Sequence, residues 1–410
     1  MSRRARIGQR DEHGVFLTGA TGFLGMELLA RYLERTDRRV FALVRGANSR
    51  QAAERIERTL LCLFGPRHPY GARVVPVRGD LTRPGLGMGR RRQEVAEQVD
   101  EIVHSAATVS FSLGLEESRE INVEGTRRVL EFGSLCQARG GLRRLSHVST
   151  AYVAGRHSGQ FSEDDLSVGQ RFRNSYERSK FEAECLVQSW REQLPLTVMR
   201  PSIIVGEQQT GWTVAFNVLY WPLRAYSRGA YSMLPARGGA AVDVVPVDYV
   251  ADAVFALSQA AEAEDGTFNL TAGRDASSVG ELIELASSFF RRPPPRLLEP
   301  AVYRRVVHPM LLRTARDERF RRALKDSELF FPYFTVSTRY DDRRARATLH
   351  STGIRPAPLS EYFDRLVRFA IAAEWGRREI PRASANTAVA TTRRRSGARA
   401  RQVQAELVPA

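Results

Sequence analysis

The sequence predicts an α/β protein in which a doubly wound parallel sheet is followed by a smaller, mostly helical region. Three observations support this fold class. From Gly14 onward, short β-branched runs alternate with longer stretches of helical periodicity, which is typical of parallel α/β sheets. A glycine-rich turn joins the first run to the first helical stretch. After Met199 the alternation loosens, and helical patterns dominate the rest of the chain.

The elements of the sheet follow in chain order from short apolar runs bounded by turn residues. Six strands are predicted, at residues 15–18, 39–44, 73–78, 101–105, 144–149 and 196–199. Helical periodicity between these strands is clearest over residues 23–35, 117–136 and 175–190. A doubly wound sheet binds its ligand across the carboxyl ends of the strands, so we expect the functional site at that edge.

The second region combines a few sheet elements with helices. Strands are predicted at residues 242–244 and 267–271, and helices at 247–260 and 278–290. A proline cluster near Pro293 interrupts the pattern, and the amphipathic segment 359–375 closes the helical region. From Pro381 onward the chain is basic and poor in apolar residues, which predicts a disordered tail.

Composition limits the classes of protein to be considered. The chain has 410 residues, of which 43% are hydrophobic, so it can bury a substantial core. It has no run of about 18 apolar residues and no apolar segment at its basic start, so we expect a cytoplasmic protein. The three cysteines lack metal-ligand spacing, which predicts reduced packing thiols and no metal site.

The formal charge of +16 is concentrated at the two ends of the chain. No nucleic-acid-binding module is recognisable, so we expect no nucleic-acid partner. A basic surface also suits an acidic ligand or peripheral contact with a membrane.

The turn after the first strand has the features of a dinucleotide-binding loop. Residues 15–25 read VFLTGATGFLG, so a strand runs through TGxxGxxG into a helix. Gly19 permits the tight turn, Gly22 lets backbone N–H groups approach a pyrophosphate, and Gly25 allows close helix–sheet packing. Contacts with the dinucleotide are expected from Thr18, Gly19, Thr21, Gly22, Phe23, Leu24 and Gly25.

The ends of the next strands predict which dinucleotide is bound. At the position where an acidic residue would bind the ribose of NAD, the chain has Arg45, and a guanidinium can grip a 2′-phosphate. NADP(H) is therefore the predicted coenzyme. Asp80 and Leu81 follow the third strand, where the Asp80 carboxylate either accepts from the adenine amino group or caps a turn. Ala106 and Ala107 leave room for the adenosine ribose.

Tyr176 and Lys180 stand four residues apart on a predicted helix, so both project from one face. Lys180 and Lys325 are the only lysines among 62 basic residues. An ammonium beside the phenol would stabilise the phenolate and lower its pKa, which makes Tyr176 a usable proton donor. Lysine also suits the nicotinamide ribose hydroxyls, because it is a compact charge on a flexible stem.

A hydroxyl group at the end of the fifth strand would complete the catalytic set. That strand runs into HVSTAYVAG, which offers Ser149 and Thr150. One hydroxyl can bind the substrate oxygen and hold it against the Tyr176 phenol. We favour Thr150 for this role and interpret Ser149 as a structural residue. His104, at the end of the fourth strand, is interpreted as a packed residue rather than a catalyst.

The motifs taken together resemble one superfamily. TGATGFLG, HSAATVSF, INVEGT, HVSTAYVAG, YERSK and RPSIIVG, in this order, resemble an extended short-chain dehydrogenase/reductase from about Gly14 to Phe290. Within it, the motifs most resemble fatty acyl-CoA reductases and the thioester reductase domains of carboxylic acid reductases and peptide synthetases. The resemblance implies Thr150, Tyr176 and Lys180 as catalytic residues. It also implies nicotinamide contacts at Pro201 and Ile204.

The resemblance further implies a division of the chain and an activity. We expect a leader at 1–13, an NADP-binding Rossmann domain at 14–200, a substrate-binding region at 201–380 and a tail at 381–410. The implied reaction is NADPH-dependent reduction of an acyl-CoA or acyl carrier protein thioester to an aldehyde, or further to an alcohol. Two alternatives remain open: a dehydrogenase or epimerase for a hydroxysteroid or sugar nucleotide, and a non-catalytic nucleotide-sensing or scaffold protein.

Six aromatic residues in the second region have two interpretations. They either line a channel for the acyl chain or form the core of the substrate-binding region. These residues are Trp212, Phe216, Tyr220, Trp221, Tyr226 and Tyr231.

Overall fold

The computed structural model describes residues 13–216, 218–229, 233–314, 333 and 335–390, with only the backbone described at 304, 311 and 314. Seven strands form its main sheet: β1 (Gly14–Thr18), β2 (Val40–Val44), β3 (Val74–Arg78), β4 (Val99–His104), β5 (Arg144–Val148), β6 (Leu196–Pro201) and β7 (Thr267–Leu270). All are parallel, in the order β3-β2-β1-β4-β5-β6-β7. The predicted doubly wound sheet is confirmed.

The main α-helices accompany the strands in the described part of the chain. They are α1 (Phe23–Arg35), α2 (Ser49–Phe64), α3 (Arg91–Ala96), α4 (Leu115–Arg119), α5 (Gly125–Arg139), α6 (Ser175–Gln188), α7 (Tyr220–Ser227), α8 (Val247–Gln259), α9 (Val279–Phe290), α10 (His308–Thr314), α11 (Arg343–Leu349) and α12 (Leu359–Ala372). The single helix predicted over 117–136 is divided, because a π-helical turn at Glu120–Glu124 separates α4 from α5.

The sheet is covered on both faces, which explains its apolar strands. Alternate residues of a strand point to opposite faces. Val15 and Leu17 therefore pack with residues of α1, α2 and α8, whereas Phe16 packs with residues of α3, α5 and α6. The carboxyl ends of the strands remain as the edge at which loops meet.

Short strand pairs connect the second region to the sheet. Ile203–Val205 pairs in parallel with Val244–Pro246, and Ala241–Val242 pairs with Ser277–Ser278. The strand predicted at 242–244 is thus interrupted at Asp243. The Asp243 carboxylate is buried and accepts hydrogen bonds from the backbone N–H groups of residues 272 and 273 at 2.8 and 3.0 Å. The Asp243 side chain thus holds this turn, while its carbonyl still accepts from the Ile203 N–H at 3.3 Å.

Two further parallel pairs lie outside the main sheet. Gly159–Phe161 pairs with Thr338–Tyr340, and Met233–Pro235 pairs with Arg296–Leu298. The first of these ties the loop after β5 to the C-terminal part of the described chain. Among the described helices, none is long and apolar enough to cross a membrane.

The first part of the predicted tail is packed rather than disordered. Residues 381–390 include a 3₁₀ turn at Arg382–Ser384, and Ala385 is fully buried in the core that contains α1 and α2. Arg382 lies 3.0 Å from the buried Glu27 carboxylate. The basic composition did not indicate this packing, because a few small apolar residues and the ion pairs of Arg382 hold the segment. Residues 391–410 lie outside the described residues.

Candidate functional site

The turn between β1 and α1 is built for a close approach by a ligand. Gly19 has a φ of +81°, and a Cβ there would lie 2.9 Å from the backbone nitrogen of Ala106. A Cβ on Gly25 would lie 1.9 Å from the carbonyl oxygen of Gly19, so only glycine allows this packing. Gly22 is exposed and is the N-cap of α1, where no side chain caps the helix. The uncapped N–H groups therefore fit a pyrophosphate.

The predicted coenzyme contacts around this turn differ in exposure. Thr21 and Phe23 are partly exposed, whereas Leu24 is buried in the core. Thr18 is fully buried, and its hydroxyl bonds His104 Nδ1 at 2.8 Å and accepts from the Ala106 N–H at 3.2 Å. The Thr18 side chain thus supports the turn from within the sheet.

Two histidines lie in a buried polar layer beneath the strand ends. His104 Nε2 is 3.1 Å from the Thr126 hydroxyl, and burial lowers the pKa of His104 to about 3. The His147 ring lies 5.3 Å from the His104 ring. Burial and the Lys180 charge keep the pKa of His147 well below its usual range. Both rings are therefore neutral, which supports the interpretation of His104 as a packed residue.

The end of β3 forms a turn stabilised by its own aspartate. Asp80 Oδ1 accepts hydrogen bonds from the backbone N–H and the hydroxyl of Thr82, both at 2.9 Å. The Leu81 side chain packs against Gly125, where a Cβ would lie 3.2 Å from Leu81 Cβ. Asp80 therefore has the turn-capping role that the sequence analysis left open, and contact with an adenine stays a prediction. Ala106 and Ala107 are half-buried at the neighbouring strand end.

The sequence analysis did not single out Arg55, which lies beside the predicted 2′-phosphate site. Arg45 is exposed at the end of β2. Arg55, on α2, donates to the Arg45 carbonyl at 3.0 Å and to the Thr21 hydroxyl at 3.4 Å. Burial and the charges of Arg45 and Arg58 lower the pKa of Arg55. Three guanidinium groups thus repel one another here, which favours an anion between them. The packing of α2 brings Arg55 to this place, and local sequence patterns do not predict that packing.

Thr150 and Tyr176 come together across the strand ends. Thr150 is buried at the end of β5, where its hydroxyl accepts from the Tyr152 N–H at 3.2 Å and donates to the Pro201 carbonyl at 3.4 Å. The Thr150 side chain is also close enough to the half-buried Tyr176 to act on the pKa of its phenol. Ser149 instead donates to the buried Glu184 carboxylate, so its role is structural.

The pKa of Tyr176 is opposite in direction to the prediction. Burial raises the pKa of Tyr176 to about 12, although the nearby Thr150 hydroxyl opposes this shift. The expected lowering by Lys180 is therefore wrong for this structure, because desolvation disfavours the phenolate more than its neighbours stabilise it. The phenol is protonated at neutral pH and is available as a proton donor.

Lys180 lies at the centre of the buried layer. Its side chain is almost fully buried, and Nζ donates to the Val148 carbonyl at 2.9 Å. Burial lowers the pKa of Lys180 to about 8, while the nearby Glu184 carboxylate opposes the shift. The amine is thus mostly charged at neutral pH, and it titrates near the physiological range.

Asn122 is a second residue that the sequence analysis did not single out. It lies in the π-helical turn Glu120–Glu124, and such turns are frequent at functional sites. Its side chain accepts from the Thr108 N–H at 2.8 Å and donates to the Ser179 hydroxyl at 2.9 Å. Asn122 therefore fixes the loop after β4 against the helix that carries Tyr176. In the sequence, the only indication of Asn122 was its place in the INVEGT motif.

The aromatic set of the second region is mainly core rather than channel. Trp212 is fully buried and donates from its indole to the Ile380 carbonyl at 3.0 Å. Tyr220 is buried and accepts from the Gly206 N–H at 2.9 Å. Of the five that the structure describes, only Tyr226 lines an apolar cavity. Tyr231 lies outside the described residues.

An apolar cavity of about 70 Å³ lies between the sheet and the second region. Tyr152 and Ile203 line it from the side of the sheet, two residues after Thr150 and Pro201 respectively. Tyr333 also lines it, and its ring stacks on Phe111 at 5.4 Å. Phe111 in turn lies 5.8 Å from the Tyr176 ring. The Phe111 ring thus connects the Tyr333 side of the cavity to Tyr176. Ile204 is half-buried next to Ile203.

Residues 17–254 match the family described as "Male sterility protein", a family of NAD-binding domains. The chain is 29% identical over 281 residues to fatty acyl-CoA reductase 1 of Xenopus laevis, covering 60% of this chain and 54% of that protein. It is 31% identical over 263 residues to the L-2-aminoadipate reductase large subunit of Eremothecium gossypii, covering 60% of this chain and 19% of that protein. The chain thus spans about half the length of the fatty acyl-CoA reductase that it matches.

Solved structures extend the similarity beyond the sheet. The terminal R domain of the myxalamid PKS-NRPS pathway superposes with a TM-score of 0.77 and 26% identity, covering 90% of this chain and 92% of that one. A UDP-glucuronic acid 4-epimerase from Bacillus cereus superposes with a TM-score of 0.62 at 17% identity, covering 88% and 98% of the two chains. The second similarity concerns the fold alone. The predicted extended short-chain dehydrogenase/reductase architecture is confirmed.

Proposed function

The chain belongs to the male sterility family of NAD-binding domains, among the extended short-chain dehydrogenases/reductases, and on this premise we propose that it reduces acyl thioesters with NADPH. The observation that supports this proposal is that two features lie close together at the strand ends. Thr150 and Tyr176 come close enough at the strand ends for the Thr150 hydroxyl to affect the pKa of Tyr176, and Tyr152, two residues after Thr150, lines the apolar cavity. The relatives are named as reductases of fatty acyl-CoA and of aminoadipate.

The residues at the strand ends fit a nicotinamide dinucleotide. The uncapped α1 N-terminus after Gly22 would hold the pyrophosphate, and Pro201 and Ile204 would lie beside the nicotinamide. When bound, the reduced coenzyme supplies a hydride to the carbonyl carbon of the substrate. Lys180 would orient the coenzyme ribose from beneath the strand ends, where burial of its amine makes each of its hydrogen bonds stronger.

Tyr176 and Thr150 handle the proton of the reaction. Thr150 binds the thioester carbonyl oxygen and Tyr176 donates its phenolic proton to that oxygen, which gives a neutral thiohemiacetal. The carbon–sulfur bond then breaks, the hydroxyl loses its proton, and the sulfur takes up a proton. An aldehyde and a free thiol are released. A second reduction at the same residues would give an alcohol.

The apolar cavity favours a thioester over the other substrate classes considered. A sugar nucleotide needs hydrogen-bonding partners for its hydroxyl groups, and burying these groups without partners is costly. The described residues that line the cavity are apolar except for three tyrosines. A non-catalytic protein would need neither the Thr150–Tyr176 contact nor Lys180. The basic surface suits both acyl-CoA and an acidic acyl carrier protein as donor.

The first test is substrate reduction by the purified protein. With NADPH and dodecanoyl-CoA, we expect oxidation of NADPH, release of free thiol in equal amount, and dodecanal as the product. Tyr176→Phe should lower the rate about 10²–10⁴-fold, because the proton donor is lost. Coenzyme binding, measured by NADPH fluorescence, should persist in this variant. Activity on a hydroxysteroid or a sugar nucleotide, with no thiol released from any acyl thioester, would exclude thioester reduction.

The arginine cluster supports NADPH over NADH. Arg55→Gln removes one guanidinium from the predicted 2′-phosphate site, so NADPH binding should weaken about 10–100-fold, while NADH binding should change little. Titration of coenzyme fluorescence measures both affinities. Arg139→Gln is the control, since Arg139 lies at the end of α5 and pairs with Glu97 at 3.3 Å. Equal weakening of NADPH and NADH would argue against a 2′-phosphate site.

A further inference from the structure

The first turn of helix α6 depends on contacts from outside the helix. Tyr176 is the second residue of α6, and Asn174 is its N-cap. The Asn174 side chain accepts from the Glu177 N–H at 2.9 Å. The backbone N–H groups of a first turn have no partner within their own helix, so their hydrogen bonds come from other groups. The contacts that hold this turn therefore also set the position of the Tyr176 phenol.

The Tyr333 hydroxyl joins the N-cap of α6 to its first turn. It accepts from the Asn174 side-chain amide at 2.8 Å and donates to the Glu177 carboxylate at 3.0 Å. Glu177 is fully buried, and its carboxylate also accepts from the Arg173 N–H at 2.9 Å. One hydroxyl thus serves a donor and an acceptor that lie on either side of Tyr176 in the chain.

The Tyr333 ring supports the same turn through a neighbouring aromatic side chain. Its centroid lies 5.4 Å from that of the Phe111 ring, and the two rings are nearly parallel, at 14°. Phe111 in turn lies against the Tyr176 ring, with 5.8 Å between centroids. Tyr152, two residues after Thr150, packs edge-on against Tyr333 at 5.3 Å. Tyr333 thus packs against residues that lie next to both members of the proposed catalytic pair.

Tyr333 belongs to a different part of the chain from the residues that it contacts. The match to the family ends at residue 254, so Tyr333 lies outside the matched domain. It precedes Thr338–Tyr340, the short strand that pairs with Gly159–Phe161 in the loop after β5. This pairing holds the chain close to the strand ends. The turn that carries Tyr176 is therefore completed by a residue of the second region.

We propose that Tyr333 is a positioning residue whose hydroxyl holds the first turn of α6, and with it the Tyr176 phenol, in place for proton donation. The proposal rests on the proposed thioester reduction and adds a residue of the second region to that site. Loss of the hydroxyl would leave Asn174 and the buried Glu177 carboxylate each without one partner. A small displacement of a reacting group can lower a rate about 10²-fold.

The kinetic test compares Tyr333→Phe with the wild-type protein. The ring contacts with Phe111 and Tyr152 remain in this variant, whereas both hydrogen bonds are lost. With NADPH and dodecanoyl-CoA, kcat should fall about 10–100-fold, while the affinity for NADPH, measured by coenzyme fluorescence, should not change. Tyr220→Phe is the control, because it removes a buried hydroxyl of the second region that bonds the Gly206 N–H at 2.9 Å rather than α6. It should keep the wild-type kcat.

A double variant shows whether Tyr333 acts through Tyr176. Residues that act as one unit give losses that do not add. The residual rate of Tyr176→Phe should therefore be unchanged when Tyr333→Phe is added to it. Losses that multiply in the double variant would overturn the proposal, because they would show an effect that does not depend on the phenol.

Hydrogen–deuterium exchange tests the positioning without the reaction. The backbone amides of residues 177–180 should exchange about tenfold faster in Tyr333→Phe, because the first turn opens more often. Tyr220→Phe should leave these rates unchanged. If no thioester is reduced but the exchange difference is observed, the proposed function fails and the positioning of Tyr176 by Tyr333 stands. Exchange at the wild-type rates in Tyr333→Phe would overturn the positioning proposal.

Discussion

Lys180 is a charged amine in a chain whose other basic residues are, with one exception, arginine. The surroundings of this amine explain why the residue is lysine rather than arginine. The amine is almost fully buried, and it donates a hydrogen bond to the Val148 carbonyl. A guanidinium would bring five N–H donors into this space, and most of them would be left without partners. A lysine amine can instead bond one carbonyl and direct its other protons toward a ligand.

The pKa of Lys180 predicts how the reaction depends on pH. Because burial lowers that pKa to about 8, the ammonium is present below pH 8 and is lost as pH rises through this value. We expect kcat/KM to fall about tenfold per pH unit above the pKa, if the charged form is required. The measurement is a pH–rate profile between pH 6 and 10, with protein stability followed over the same range.

Lys180→Arg is the informative variant for this assignment. Arginine stays protonated throughout this pH range, so the variant should lose the decline near pH 8. Its rate should also be on the order of 100-fold lower, because the guanidinium does not fit the buried space. A decline near pH 8 that persists in Lys180→Arg would show that another group controls the rate.

At the residue scale, short-range spacing predicted where Thr150, Tyr176, Lys180 and the glycine turn lie on their strands and helices. Their catalytic and coenzyme-binding roles stay predictions. The acidity of Tyr176 was predicted in the wrong direction, because desolvation depends on everything packed around the ring. Arg55 was missed for a similar reason, since only the packing of α2 brings it to Thr21.

Helix α6 carries both Tyr176, the proposed proton donor, and one member of a buried ion pair. Glu184, fully buried, lies 2.6 Å from Arg200 on β6, which is 1% exposed. Glu184 also accepts from Ser149 at the end of β5. One carboxylate thus connects α6 to the two strands whose ends carry Thr150 and Pro201. A buried pair of this kind orients the elements around it, whatever its net contribution to stability.

Breaking this pair should destabilise the fold. Glu184→Gln leaves the buried Arg200 charge uncompensated, so the free energy of unfolding should fall by about 3–5 kcal/mol. Urea denaturation followed by circular dichroism measures the change. Glu182→Gln is the control on the same helix, because Glu182 pairs with Arg119 and Arg178 at the surface, where such pairs contribute about 0–1 kcal/mol. Equal losses in both variants would contradict the role of the buried pair.

The predicted elements agree with the structure where hydrophobic periodicity alone determines them. All six strands of the first region and helix α1 were predicted, with ends shifted by at most two residues. The π-helical turn at Glu120–Glu124 and the interruption at Asp243 were not. Both depend on side chains that bond distant backbone or side-chain groups, namely Asn122 to Thr108 and Asp243 to residues 272 and 273. Local patterns carry no signal for such contacts.

At the scale of the whole molecule, the C-terminal segments complete the first domain. The Ile380 carbonyl accepts from Trp212, and Ala385 is buried with residues of α1 and α2. The sequence boundaries at 200 and 380 therefore separate residues that share one core. Local sequence patterns do not predict packing between residues that lie far apart in the chain. The same packing explains why the aromatic residues of the second region are mainly core.

Arg382 is the clearest link between the C-terminal segment and the first domain. It lies 3.0 Å from Glu27, 3.7 Å from Glu34 and 3.2 Å from Glu207. Glu27 is fully buried on α1, and burial raises its pKa despite the opposing charges of Arg382 and Arg31. Removing Arg382 should raise that pKa further, so the ionised form of Glu27 would become more costly in the folded state.

Arg382→Met should therefore destabilise the protein in a pH-dependent way. A raised carboxyl pKa means that stability falls as pH rises, so the loss relative to wild type should be about 1–3 kcal/mol at pH 8 and smaller at pH 5, where more of Glu27 is protonated. Urea midpoints at the two pH values measure this difference. Arg378→Met, at an exposed site, should show no such pH dependence. Removal of residues 381–410 should lower the free energy of unfolding by more than Arg382→Met does, because Ala385 leaves the core as well. The reference for this truncation is a chain that ends at Ala390. A pH-independent loss in Arg382→Met would mean that Glu27 does not depend on this ion pair.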